Sequence, residues 1–292
     1  MRGDLMLAVM FGLFAALCWS LHDLLARNFA NDVGPYRMAI GTLLAGGFLL
    51  AGIVLWNGTI LQADTATLEL AIVLGVIYGL AISSLFMAFS LAPVSVVGPA
   101  TAGYPALVVI WGMIHGLQPS LSQWLAMLAI IIGAVVVART GPDDGGVNAV
   151  QKGKIPLLIF SCVVAEVFFA SSVILGQKIA EHVGEFEATF MARFPAALVL
   201  IPFVMREKPA VAKISSRAWA GIFAMGAFDV AAVSGINYMG RLPNKEFGSM
   251  GISAYGAIAT LLAMILLKEK TTVLQWMGIA MISSGVGLLG AT

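Results

Sequence analysis

Two carboxylates stand in otherwise apolar surroundings. Glu166 is the twelfth residue of a run from Ile155 to Lys178, and Asp229 is the twelfth of a run from Ala218 to Gly240. A charged side chain at the centre of a lipid-spanning helix costs about 2.5–3.5 kcal/mol on insertion scales, so such residues face a bundle interior or a watery cavity. A carboxyl held away from bulk water can exchange a proton near neutral pH, which makes both residues candidate proton or cation sites. The plainer role for each is an acid hydrogen-bonded to a neighbouring helix.

Aromatic residues with a polar tip accompany them. Trp19, Tyr78, Tyr104 and Tyr255 lie inside other apolar runs, where they suit a partly wet cavity or ordinary helix packing. Beside two carboxylates they favour a cationic or zwitterionic amine, through cation–π contact and charge pairing. Tyr78 and Asp229 stand 151 residues apart, at matching places in the two halves of the chain. His22 and Asp23, followed by Arg27, form either an interfacial charge cluster or, through His22, a cavity-facing proton relay. His115 closes a run and reads as interfacial. His182, in the acidic segment Glu181 to Glu187, reads as solvated. Pro105, after Tyr104, is expected to kink its helix and open backbone groups toward a cavity.

Composition dictates the elements that hold these residues. Of 292 residues, 60 % are hydrophobic and 11 % charged, against about 25 % charged in ordinary soluble domains. Sixteen Lys and Arg against 15 Asp and Glu leave a net charge of +1. A disordered chain needs low hydrophobicity and high net charge, and a nucleic-acid binder needs a basic surface; both are excluded. Cys18 and Cys162 are too few for a disulfide framework and lack metal-site spacing. No phosphate-binding loop is encoded, which argues against an ATP-driven pump. No Ser-His-Asp spacing stands out, and no cofactor is implied. The chain reads as an all-α integral membrane protein.

A helix crosses the hydrocarbon core with about 20 mostly apolar residues. Ten spans follow: 5–26, one within 38–63, three within 70–138, then 155–177, 188–205, 218–240, 247–267 and 272–289. Breaks in the long run are predicted at Leu91-Ala92-Pro93 and Gln118-Pro119-Ser120, since proline disfavours helix in the residue before it. The N-terminal run resembles a secretory signal in having Arg2 ahead of it, but no small-x-small site precedes polar sequence, so it is read as the first span. The stretch from Arg139 to Lys154 is rich in turn-forming Gly, Pro and Asp. It separates residues 1–140 from 155–292, with 141–154 as linker. A second polar loop runs from Arg206 to Arg217.

The halves match one another. At an offset of 152, Gln123-Trp124 meets Gln275-Trp276, Ile130 meets Ile282 and Gly133 meets Gly285; at 156, Arg37 meets Arg193. Each arginine is read as opening the second span of its half, on opposite membrane faces. There it would snorkel to the headgroups or cap a neighbouring helix end, without binding substrate. A repeat of five spans must enter the membrane upside down in its second copy. The fold class expected is therefore two inverted five-helix repeats, with a substrate site at mid-depth between them. Gly41, Ala45, Gly133, Gly278 and Gly285 permit close helix approach. Trp56, Trp111, Trp124, Trp219 and Trp276, near span ends, suit an interfacial belt.

This layout resembles the drug/metabolite transporter superfamily in its EamA-type branch. Trp19-Ser20 matches the family's first-span tryptophan and small residue, Arg37 and Arg193 its second-span arginine, and Pro105 its fourth-span proline, with Ala257 in the second half. Glu269 matches the glutamate between the last two spans of a half, where the first half has Leu117. The resemblance implies a carrier of small metabolites, often amino acids or amines, without a cofactor. It also implies that spans 1, 3, 4, 6, 8 and 9 surround a cavity, with spans 5 and 10 outside.

The expected function is therefore a secondary carrier in the cell (inner) membrane, working by alternating access. Its expected partners are a small-molecule substrate, the lipid bilayer and a coupling proton, with no nucleic acid, in a monomer or homodimer. The cavity set expected is Trp19, His22, Tyr78, Tyr104, Glu166, Asp229 and Tyr255. The alternative is a membrane-embedded enzyme acting on a lipid, which would gather polar residues near one interface; mid-depth carboxylates favour the carrier. Lys and Arg gather in cytoplasmic loops. Arg27, Arg37, Arg139, Lys152, Lys154, Arg206, Lys208, Lys213, Arg217, Lys268 and Lys270 share one side. Arg2, Lys178, Arg193, Arg241 and Lys245 fall on the other, a balance that puts both termini outside. The resemblance implies both inside.

Overall fold

The computed structural model describes residues 2–58, 63–92, 97, 101, 103–139, 153–207, 214–266, 268 and 271–291, and the regular structure among them is helical throughout. The first half holds α1 (Arg2–Val33), α2 (Pro35–Asn57), α3 (Thr65–Leu91), α4 (Tyr104–Ile114) and α5 (Leu121–Arg139). The second holds α6 (Ile155–Val183), α7 (Glu185–Arg206), α8 (Ser216–Met239), α9 (Lys245–Ile252), α10 (Tyr255–Leu266) and α11 (Val273–Ala291). Among the described residues, eight stretches are long and apolar enough to cross a membrane, α9 and α10 counting together as one; α4 and residues Leu121–Val137 of α5 are shorter apolar helices.

Matching residues end matching helices. Gly34 (φ 89°) and Gly184 (φ 105°) terminate α1 and α6. A side chain would strain either one, and the chain turns directly into α2 or α7. These two glycines are 150 residues apart. Asp64 starts α3 by accepting from the Thr67 N–H at 2.8 Å, and Ser215 starts α8 by accepting from the Ala218 N–H at 3.2 Å. Such caps satisfy N–H groups that have no partner inside the helix.

The principal helix contacts recur with the halves exchanged. α1 packs on α8 as α6 packs on α3, and α2 on α8 as α7 on α3; α2 pairs with α7 and α5 with α11. The α5–α11 pair is antiparallel. A Cβ on Gly133 would lie 2.7 Å from the Gly278 carbonyl oxygen, and one on Gly285 2.7 Å from that of Ala126. At an offset of 152 each contact becomes the other. The α2–α7 pair is antiparallel in the same way. Glu207, past the end of α7, accepts from the N–H groups of Tyr36 and Arg37 at 3.2 and 3.1 Å, while Asn57, ending α2, donates to Glu187 at 3.3 Å. At an offset of 150 these too exchange.

Three expectations about the spans change. Pro105 lies in the first turn of α4 and starts the helix instead of kinking it, because a first-turn residue has no helical N–H bond to lose. The expected ninth span is broken into α9 and α10. Ser253 and Ala254 N–H groups each bond the carbonyl three residues back, on Met250 and Gly251, at 3.1 Å, which tightens the helix and turns it. α4 has 11 residues, about 16 Å of helix and so about half of the hydrocarbon core. Pro93, residues 141–152 of the linker, Lys208, Lys213, Glu269 and Lys270 lie outside the described residues. The five tryptophans expected at span ends are all exposed.

Candidate functional site

A cavity of about 40 Å3 lies between the halves, lined by residues of α1, α3, α4, α6, α7 and α8. Its walls combine Trp19, Tyr78, Tyr104 and Phe169 with aliphatic Leu74, Val173, Val233 and Ile236, and with polar Ser172, Thr189, Arg193 and Asn237. α5 and α11 stay outside it, as expected.

Its polar centre is an ion pair. Arg193 and Asp229 are 1 % and 6 % exposed, and Arg193 Nη1 donates to Asp229 Oδ2. Asp229 Oδ1 accepts from Trp19 Nε1 at 3.0 Å and from the Tyr78 hydroxyl at 3.3 Å. The guanidinium carbon sits 5.7 Å from the Tyr78 ring centroid, within cation–π range. Charges survive burial when they are paired and hydrogen-bonded. Asp229 meets that condition through both oxygens. Arg193 meets it in part: among the described residues its Nε and Nη2 have no hydrogen-bond partner. Tyr78 and Asp229, equivalent at an offset of 151, meet each other here.

Beyond the centre, Thr189 Oγ1 accepts from Ser234 Oγ at 3.1 Å and from Asn237 Nδ2 at 3.0 Å, tying α7 to α8. Beyond these, Arg241, past the end of α8, pairs with Glu185 of α7 at 2.6 Å, and Lys245 of α9 with Glu181 of α6 at 3.0 Å. A wide surface recess of about 860 Å3 opens there, lined in part by Asn57, Glu181, Glu187 and Arg241.

The seven residues expected to share one cavity fall into three groups. Trp19, Tyr78 and Tyr104 line it, and Asp229 sits behind them, bonded to Trp19 and Tyr78. Glu166 does not line the cavity; its Oε1 accepts from the Gly103 N–H at 2.7 Å, at the start of α4. A Cβ on residue 103 would lie 2.8 Å from Glu166 Oε2, so glycine lets the carboxylate close on a helix N-terminus, where the dipole favours it. His22 and Tyr255 do not line the cavity either, although His22 stays within electrostatic reach of Asp229 and Arg193. His22 Nδ1 is 2.7 Å from Asp23 Oδ1, Asp23 Oδ2 accepts from the Tyr255 hydroxyl, and Ser20 Oγ donates to the Tyr255 carbonyl at 3.2 Å. His115 and His182 are exposed, as expected of interfacial and solvated groups.

Two assignments are corrected. α7 lines the cavity in place of the expected ninth span. Arg193, expected at a membrane face, is the ninth residue of α7 and fully buried. The offset of 150 set by Gly34 and Gly184 aligns it with Leu43, deep in α2, and not with Arg37. Arg37 occupies the first turn of α2, where its Nη2 donates to the Glu207 carbonyl at 2.9 Å, the helix-end role expected of it. Thr189, Ser234 and Asn237 escaped sequence reasoning. Asp229, Val233, Ile236 and Asn237 nevertheless follow the spacing of one helix face, a signal that runs from the carboxylate outward.

Residues 6–139 and 156–291 each match the EamA-like transporter family. An uncharacterised transporter of Archaeoglobus fulgidus is 24 % identical over 141 residues, 47 % of this chain and 50 % of its own length. The chain thus spans about half the length of the curated relative it matches. A protein known from its crystal structure superposes with a TM-score of 0.79 over 96 % of this chain and 95 % of its own, at 21 % identity. That likeness is one of fold.

Proposed function

The chain belongs to the EamA-like transporter family, and from that premise we propose that it is a secondary carrier moving a small metabolite, an amino acid or an amine, across the cell (inner) membrane by alternating access. The observation that carries this reading is the buried Arg193–Asp229 pair, held by Trp19 and Tyr78 at the wall of a cavity where both halves meet, which Arg193, Trp19 and Tyr78 line. A polar centre at mid-length of α1, α7 and α8 suits a solute crossing between the halves. A lipid-modifying enzyme would place it near one interface. The antiparallel pairing of α5 with α11, and of α2 with α7, supports two inverted five-span repeats. In such a fold the site sits at the repeat interface and the halves rock around it.

Glu166 is the group proposed to carry the coupling proton. As a carboxylate it holds the first N–H of the α4 region. Protonation removes the charge that the helix dipole attracts, loosening α4 from α6. Tyr104, the first residue of α4, lines the cavity, so the proton and the cavity wall are linked through one short helix.

The test is counterflow in liposomes containing the purified protein, preloaded with each member of a panel of amino acids and amines. Accumulation of labelled compound against unlabelled is expected for at least one member. A panel with no counterflow overturns the reading.

A further inference from the structure

We propose that the unpartnered edge of Arg193 is a docking site for a carboxylate on the transported molecule. The inference rests on the carrier reading and narrows it, setting aside simple amines. A guanidinium keeps its charge at every physiological pH and offers five N–H donors in a fixed plane. Nη1 faces Asp229, whereas Nε and Nη2 have no partner among the described residues. Those two nitrogens share one side of the guanidinium, and together they match the two oxygens of a carboxylate in a bidentate pair. Buried, charged donors without acceptors are costly in any fold, and here they belong to a side chain that lines the central cavity.

The arrangement of the ion pair gives the sign of the ligand. Arg193 lines the cavity, and Asp229 is not among its lining residues. Asp229 is also committed through both oxygens, to Arg193, Trp19 and Tyr78. An ammonium entering alone would meet a guanidinium and find the carboxylate already bonded. A carboxylate reaching the guanidinium would find two donors that lack an acceptor among the described residues, both buried at the cavity wall. With Asp229 it would outnumber the guanidinium by one charge, His22 being the other titratable group within electrostatic reach of the pair. An ammonium on the same molecule restores the balance, with the rings of Trp19, Tyr104 and Phe169 in the wall to receive it. Two sources of carboxylate remain, an amino acid and a simple carboxylic acid, and the experiment separates them.

Binding to the purified full-length protein is measured by thermal shift and calorimetry for the proteinogenic L-amino acids, and for the decarboxylated amine and deaminated acid of each. Every compound that binds is expected to carry a carboxylate, and each amine should bind at least about tenfold more weakly than its parent, because the site's donors are then left unpaired. Amino acids binding ahead of their deaminated acids identify the zwitterion as the source; equal binding identifies the simple acid. Arg193→Lys keeps the charge without the fork and should weaken carboxylate binding by about tenfold or more. Asp229→Asn, which leaves Arg193 without an anionic partner, should tighten it.

An amine that binds as well as its parent overturns the proposal, as does unchanged binding in Arg193→Lys, or a panel in which no carboxylate binds. If Arg193→Lys does not fold, the amine comparison in the wild-type protein decides. Counterflow of amines alone would leave the carrier reading standing while this inference fell; absence of all counterflow would remove both.

Discussion

The seam between α5 and α11 and the centre around α3, α7 and α8 are both places where the halves meet, and they are built from opposite chemistry. At the seam, backbone lies on backbone: Gly133 on Gly278, Ala126 beside Gly285, with Ile130 and Ile282 buried alongside. At the centre, a buried arginine and aspartate are held by a tryptophan and a tyrosine. Apolar surface gains nothing by leaving lipid tails for another helix, so close van der Waals contact at small residues is what holds a seam. A buried ion pair is weak evidence for stability, since well-packed apolar residues often do as well. The seam therefore answers to stability alone. The centre keeps charge at a cost and leaves two buried donors without an acceptor among the described residues, which the carboxylate proposal assigns to a ligand.

The largest effect should come from breaking the centre. Asp229→Ala leaves Arg193 buried without its anion and should lower unfolding stability by about 3–5 kcal/mol, read by chemical unfolding in detergent. A loss below about 1 kcal/mol would mean that water or another group already compensates Arg193. Trp19→Phe removes one of the three donors to the Asp229 carboxylate and should cost about 1.5–3 kcal/mol, less than Asp229→Ala. A loss matching that of Asp229→Ala would identify the indole as the main support of the pair. At the seam, Gly278→Val drives a side chain toward the Gly133 carbonyl, which lies 2.8 Å from the site of a Cβ. The expected loss is about 1–3 kcal/mol, with ligand affinity in the folded fraction unchanged. A fall in affinity would show that seam and centre are not separable.

Glu166→Gln keeps the shape at the start of α4 without the titrating charge. Loss of the charge–dipole attraction should cost about 0.3–1 kcal/mol. Transport driven by a pH gradient should slow more than passive exchange; equal slowing of both would make Glu166 a structural cap.

The helices were legible because a lipid-spanning helix needs a long apolar run and little else. The equivalence of Tyr78 and Asp229 was legible too, and the structure places these residues in hydrogen-bond contact. The break between α9 and α10 was not, since Gly248, Gly251 and Ser253 are ordinary in a membrane helix and only tertiary packing tightens the turn. The role of Arg193 was hidden by a coincidence of residue type. Pairing it with Arg37 set α7 out of register, whereas Gly34 and Gly184, fixed by their positive φ angles, carry the true offset. Glu166 was legible as a carboxylate inside an apolar run, but its use as a cap depends on Gly103, 63 residues away in sequence.

On the carrier reading, the Arg193–Asp229 pair is the transport site. The most direct measurement is counterflow by Asp229→Asn beside the wild-type protein, in liposomes holding equal amounts of folded material. The expected result is retained substrate binding with counterflow reduced about tenfold or more, because removing the competing anion leaves the substrate held too firmly for exchange. Counterflow equal to that of the wild-type protein would contradict it and move the transport site away from this pair.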